Sequence, residues 1–217
     1  MLFGLACEGV TDQITLENIL CGYFDNPDLD VSHLQPPFDE TDQKQKDFGG
    51  WQMLLAYLKM TRFRDDVLSN KWVVIQVDTD VSGEIGFGVL HVDANNQPLT
   101  PEALITNVIA KLVATIESGQ PGFYQQYSEK IIFCISVHSL ECWLYAYYNH
   151  KPLSKPKITG CYNALSRLRP TIEKTYRCYD QLSQPFLKRK NIDIAVKKDP
   201  SFCVFIQSLA KIERFVR

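Results

Sequence analysis

Apolar residues along the chain fall into two kinds of run. Some are short, unbroken and rich in branched aliphatic residues, and stop abruptly at an acid or a turn residue. Others repeat apolar positions every three or four residues. The first kind predicts buried strands at Leu2–Cys7, ending on Glu8-Gly9, at Lys71–Val77, ending on Asp78, and at Lys130–Val137. The second kind predicts helices over Asp12–Phe24 with Thr11 as cap, Gly50–Lys59, Pro101–Ser118 with Thr100 as cap, and Leu140–Tyr148 behind a capping Ser139. Beyond Pro152, shorter helices are expected at Tyr162–Leu168, Tyr176–Leu187, Ile192–Lys197 and Pro200–Phe215. Residues 25–47 are polar and acidic around Pro36-Pro37, and read as a loop with a short strand at Val31–Leu34. Residues 83–99 read as irregular. Unbroken apolar strands alternating with helices imply an α/β fold: a mostly parallel sheet flanked by helices. The expected organisation is an α/β core over 1–150 and a basic helical C-terminal extension over 151–217, packed on that core.

Charge sharpens this division. The 217 residues carry a net charge of −2, but residues 1–110 hold 17 acids against 6 Lys and Arg. Residues 111–217 hold 8 acids against 17. The basic excess is concentrated after residue 150, where 15 Lys and Arg face 5 acids. Such a segment suits a phosphate backbone, and Lys155, Lys157, Arg167, Arg169, Lys188, Arg189, Lys190, Lys197 and Lys198 are the candidate nucleic-acid contacts. No base-reading motif accompanies them. No apolar run approaches the ~20 residues of a membrane span. The opening Met1–Cys7 lacks a basic flank and runs straight into Glu8, so it does not read as a signal peptide. The seven cysteines lack C-x-x-C spacing and predict free, mostly buried thiols in a cytoplasmic protein.

Two strand ends carry the candidate chemistry. One reads Glu8-Gly9-Val10-Thr11-Asp12. The other reads Asp78-Thr79-Asp80-Val81-Ser82-Gly83. In parallel sheets, ligands bind beyond the carboxyl ends of the strands. Residues two apart in an extended segment point the same way, so Asp78 and Asp80 aim together, and Glu8 joins them from a neighbouring strand. Three carboxylates with no cationic partner call for a hard cation, Mg²⁺ or Mn²⁺. Asp after a buried strand is also an ordinary turn residue, and an acid in a first helical turn, such as Glu141, is favoured by the helix dipole alone. His138 ends a strand at the same edge and fits a hydrogen-bonded turn. His33, His91 and His150 show no ligand spacing. Trp143 and the tyrosines near it read as packing.

The order E-G-x-T-D, then a hydrophobic strand ending D-x-D-x-x-G, resembles the Toprim domain of topoisomerases, primases and overcoming-lysogenization-defect nucleases. Ser139–Ala146 and Ala195–Phe205 (AVKKDPSFCVF) resemble two further segments of a compact Toprim-like family found beside genes for ABC-type, structural-maintenance-of-chromosomes-like ATPases in bacterial defence loci. The resemblance implies a Toprim-like sheet and a Mg²⁺-dependent nuclease acting in antiviral defence with such an ATPase, as a monomer or an oligomer. It places Glu8, Asp78 and Asp80 as catalytic metal ligands, with Asp12, Gly83 and Glu141 around them; His138, from its position at the same edge, is the further candidate beside these. Cys7 departs from the usual β-branched residue. Two other readings stand beside this one. The chain is a non-catalytic Toprim-fold subunit that binds or regulates an ATPase, or the D-x-D strand belongs to a haloacid-dehalogenase-type phosphatase. The phosphatase pattern fits Ser82 poorly and gives no reason for Glu8-Gly9.

Overall fold

The computed structural model describes residues 2–37, 49–151, 155–156 and 158–216. Four strands form one all-parallel sheet: β1 (Phe3–Ala6), β2 (Val31–Gln35), β3 (Trp72–Asp78) and β4 (Ile131–Ser136), in the order β2-β1-β3-β4. The chain moves from β1 out to β2, then returns past β1 to β3. The crevice that such a reversal opens lies at the carboxyl ends of β1 and β3. Register sets Ala6 beside Ile75, and Asp78 beside Ser136.

Helices cover both faces, which explains why the strand runs are apolar without alternation. On one face Val73, Ile75, Val77, Ile131 and Ile135 pack against α2 (Trp51–Lys59), α3 (Thr61–Ser69), α4 (Pro101–Gly119) and α5 (Phe123–Tyr127). On the other, Phe3, Leu5, Cys7, Val74, Ile132 and Cys134 pack against α1 (Val10–Phe24), α6 (Glu141–Tyr148), α7 (Cys161–Leu168), α8 (Tyr176–Ser183), α9 (Arg189–Val196) and α10 (Pro200–Ala210). The C-terminal helices thus form a layer of the α/β fold and share one apolar cluster with the strands. Trp143 is fully buried there, stacked 4.5 Å from Phe202, and its indole N–H donates to Ser201 Oγ. Pro185 stands in a 3-10 turn over Gln184–Leu187, which ends α8 earlier than its apolar spacing suggested.

Two capping expectations need correction, and α3 is a helix that the sequence reading did not include. α3 has no strong apolar stripe. Its helix is held by contacts outside itself: the buried Arg64 guanidinium donates to the carbonyls of Leu58 and Ile116, and Tyr57 donates to Asp66. Thr11 is not the cap of α1; the chain enters that helix at Gly9 in extended conformation. Ser139 does not cap α6, whose cap position is Leu140. Thr100 does cap α4, accepting from Ala103 N–H.

The thiols are not all free. Cys142 and Cys161 form a disulfide joining the first turns of α6 and α7. Their distance in sequence, and the lack of any paired motif, hid the bond. Cys7, Cys21, Cys134, Cys178 and Cys203 are free. No helix among the described residues is long and apolar enough to cross a membrane.

Because the C-terminal helices and the sheet share one core, Phe202→Ala is expected to cost about 3–5 kcal/mol. Urea unfolding should still show a single transition. Two separate transitions would mean that the C-terminal layer folds on its own.

Candidate active site

The sheet builds the site by running out of strand. After β1, the Cys7 N–H donates to Gln35 O, and the Glu8 carbonyl accepts from Gly50 N–H at 2.6 Å. These bonds turn the Glu8 side chain toward β3. There one carboxyl oxygen of Glu8 accepts the Asp78 backbone N–H at 2.8 Å. Gln76, fully buried in the middle of β3, closes the arrangement. Its Oε1 accepts from Glu8 N–H at 3.3 Å and its Nε2 donates to Asp78 Oδ1 at 2.9 Å. The same Asp78 oxygen accepts from Leu140 N–H at 3.1 Å, at the mouth of α6. One amide therefore fixes two acids from adjacent strands. Sequence reasoning passed over Gln76, although a polar residue inside V-V-I-Q-V was the available signal.

Asp80 follows on an exposed turn. Its N–H donates to His138 O, and the His138 N–H donates to Thr79 Oγ1 at 2.7 Å. His138 adopts a left-handed φ of 66°, so its role in shaping the turn is plain. His91, for which the sequence offered no role, secures the same turn: its Nε2 contacts Thr79 O at 2.7 Å and Ser82 Oγ at 2.9 Å. Gly83 is not forced to be glycine. A Cβ there meets nothing within 4 Å, and the left-handed glycines of this segment are Gly86 and Gly88.

Two more acids close in. Asp12 sits in the first turn of α1, where the Gly9 backbone hydrogen-bonds its carboxylate, an N-terminal capping contact. Glu141 is buried in the first turn of α6 and accepts from Tyr179 Oη. Lys174 Nζ stands 3.5 Å from the same Glu141 oxygen. Neither Lys174 nor Tyr179 belongs to a local motif; both arrive by long-range packing of the segment around α8.

Electrostatics ties these groups together. Burial raises Glu8 to about 8, and the charge of Asp12 adds to the rise. Burial likewise raises Asp12 to about 7, with Glu141 adding to it. Asp78 is pushed well up by burial and then by Asp12 and Glu8. Asp80 is also raised, by its partial burial first and with Glu141 adding to it, while His138 opposes. Burial would raise Glu141 too, but Lys174, Ser139 and Tyr179 outweigh it and hold that carboxyl below its ordinary value. The site is thus four acids that resist ionising together and one that a lysine neutralises.

The donor set has the chemistry of a hard-cation site, all carboxylate oxygen. Buried Ser136 Oγ and His138 Nδ1, which flank it, have no hydrogen-bond partner among the described residues. Such groups cost free energy until something pairs with them. As placed, however, no three His, Cys, Asp or Glu side chains among the described residues are grouped closely enough to hold one metal ion. The hydrogen bonds explain the spacing: Glu8 is turned onto the Asp78 backbone, Asp78 onto Gln76 and Leu140, and Glu141 onto Lys174 and Tyr179.

Most of the basic candidates lie elsewhere. The Arg189 guanidinium sits 3.6 Å over the Tyr23 ring and donates to Tyr23 O, in the last turn of α1. Asp12 is in the first turn of that 15-residue helix, so the Tyr23 carbonyl that holds Arg189 lies about 16 Å further along its axis. Lys198 Nζ donates to the carbonyls of Ala146 and Asn149 at the end of α6. Arg169 stacks on Tyr148 at the same end. Lys155, Arg167 and Lys197 are exposed. Lys157 lies outside the described residues. A basic surface exists, but its best-placed residues serve packing and helix ends, and the Lys188–Lys190 run is not over the carboxyls.

The raised acids set a pH dependence. The unfolded chain loses the Glu8 proton near 4.5, whereas the folded site keeps it to about 8. Between those values the folded state holds more protons, so stability must fall as pH rises. In EDTA, the melting temperature should decline across pH 4.5 to 8, and Asp12→Asn should flatten the decline and raise Tm near pH 8 by roughly 2–4 °C. A melting temperature that rises over this range would contradict the picture.

No protein-family model matches this chain, and neither a curated protein nor a solved structure does.

Proposed function

We propose that the chain is a Mg²⁺-dependent phosphodiester hydrolase of the Toprim type, cutting DNA or RNA and serving as the nuclease of an antiviral system with an ABC-type ATPase. The observation that carries the reading is the placement of Glu8 and Asp78 at the adjacent carboxyl ends of β1 and β3, with a Glu8 carboxyl oxygen 2.8 Å from the Asp78 backbone nitrogen and Asp80 on the turn that follows. That is the crevice where parallel α/β sheets bind ligands. The E-G-x-T-D and D-x-D-x-x-G motifs converge there, as the Toprim resemblance requires.

In this reading Asp78, Asp80 and Glu8 would hold the cation, which would supply charge neutralisation at a phosphate and a more acidic water. The residues supply the rest. Gln76 and the Leu140 N–H orient Asp78. The His138 carbonyl and the His91 contacts hold the turn that presents Asp80 to solvent. Glu8 is raised to about 8 in the metal-free site by burial and by the charge of Asp12, and a bound cation would favour its ionised form.

One observation favours the second reading, a Toprim-fold subunit that binds or regulates an ATPase without chemistry of its own. The described acids do not group around a single point, and Lys174 already neutralises one of them.

Plasmid, linear DNA and tRNA incubated with Mg²⁺, Mn²⁺ or EDTA separate the two. Under the first reading, cutting needs the metal, and Glu8→Ala and Asp80→Ala each reduce it by about 100-fold or more. Asp80→Ala should melt near the wild-type temperature, because the residue lies on an exposed turn outside both apolar clusters. If no substrate is cut with either metal, with or without the ATPase, the non-catalytic reading replaces the first.

A further inference from the structure

Two surfaces at opposite corners of the molecule complement each other. Residues 72–110 carry five acids and no Lys or Arg. Within them, Ser82 and Val89 close a loop: Val89 N–H donates to Ser82 O at 2.8 Å, and Ser82 Oγ donates to Val89 O at 3.0 Å. Phe87, fully buried and packed 5.7 Å from the Trp51 ring, pins the loop to the face that α2 to α5 cover. Glu84 and Ile85 are left in solvent at its tip, and Ile85 has no shelter at all (101% exposed). Single exposed aliphatic side chains are ordinary. An isoleucine held fully out by a fixed loop, beside an exposed acid, is a shaped projection. The second surface lies at the end of α1, where Tyr23, Phe24, Asp25, Arg189 and Glu213 line a cavity of about 480 Å³. The two rings offer apolar contact. Lys188 and Lys190, which flank Arg189, are exposed, as is Leu187. Of the two acids, Glu213 already accepts from Tyr23 Oη at 3.4 Å.

We propose that the Ser82–Val89 loop of one copy seats in this cavity of a second copy, so that the chains assemble head to tail. Ile85 then meets Tyr23 and Phe24, and Glu84 faces Lys188 and Lys190. The inference is independent of the chemistry proposed above. Charge selects the occupant. A stretch with five acids and no cation repels a nucleic acid, whereas the Leu187–Lys190 run of this same chain brings three cations and an exposed leucine. Topology then fixes the kind of assembly. Phe87 belongs to the apolar cluster on one face of the sheet, and Tyr23 to the cluster on the other. Because β1 and β2 are parallel, α1 must carry the chain from the carboxyl end of β1 back to the amino ends of the strands, and Tyr23 stands in its last turn. Loop and cavity therefore lie on opposite faces and at opposite ends. One contact leaves a free loop on one copy and a free cavity on the other. Such an interface is heterologous, and it continues into a ring or a filament rather than stopping at a two-fold dimer.

The test is sedimentation velocity over a wide range of protein concentration, in low and in high salt. Wild type should grow past the dimer as concentration rises, and salt should weaken that growth. Ile85→Asp removes the apolar contact, and the double variant Lys188→Glu, Lys190→Glu reverses the facing charge. Each should weaken association by about tenfold or more. All three side chains are exposed, so dilute samples of both variants should melt as wild type does. An equal mixture of the two variants is the decisive sample. The loop variant keeps a sound cavity and the cavity variant keeps a sound loop, so the mixture should form a one-to-one dimer and nothing larger. A wild type that stops at the monomer or at a dimer refutes the proposal. So does a wild type whose variants associate as it does, or a mixture that stays monomeric.

Discussion

Like charges held together at the end of a buried sheet are the constraint around which this structure is arranged. Helices on both faces remove the strands from water, so side chains along β1, β3 and β4 are apolar apart from Gln76 and Ser136 near the carboxyl ends. Polar chemistry is pushed to the strand ends. There the reversal of strand order brings Glu8 and Asp78 onto neighbouring strands, and α1 and α6 deliver Asp12 and Glu141 over the same edge. Each approach is fixed by the backbone and by one buried amide, Gln76, so the acids cannot simply separate. What they can do is keep protons, accept hydrogen bonds, or attract a cation. The structure uses all three responses: raised Glu8 and Asp12, a web of N–H donors, and Lys174.

The C-terminal helices complete this arrangement in a way their charge did not suggest. Their apolar residues cover one face of the sheet, and their cations largely serve the fold itself. Lys198 satisfies the open carbonyls at the end of α6, where a cation suits the helix dipole. Arg189 performs the same service at the end of α1. The residue that reaches the acids is Lys174, which stands apart from the basic runs. A positive count over a segment describes composition, and only the packing decides which ammonium meets which carboxylate.

The strands and their acidic ends were legible because one force writes both. Burial on two faces demands unbroken runs such as Val73–Ile75, and the first acid after such a run marks where the sheet meets water. Thr100-Pro101 was legible because capping is local. What stayed hidden depends on distant partners. α3 forms because Arg64 ties the ends of α2 and α4, and nothing within its own sequence shows that. The Cys142–Cys161 bond and the meeting of Glu141 with Tyr179 and Lys174 are likewise products of the chain folding back. Gln76 lies between these cases: its polarity was visible in the strand, but its role needed both neighbours.

The account turns on whether the acids at this sheet end accept a hard cation. Crystals soaked in Mn²⁺ and measured at its absorption edge would answer directly through an anomalous difference map. The account predicts a peak at the carboxyl ends of β1 and β3, with oxygens of Glu8, Asp78 and Asp80 turned to about 2.1 Å from it. An ordered protein with no peak at that edge, or with the ion bound by other residues, would contradict it.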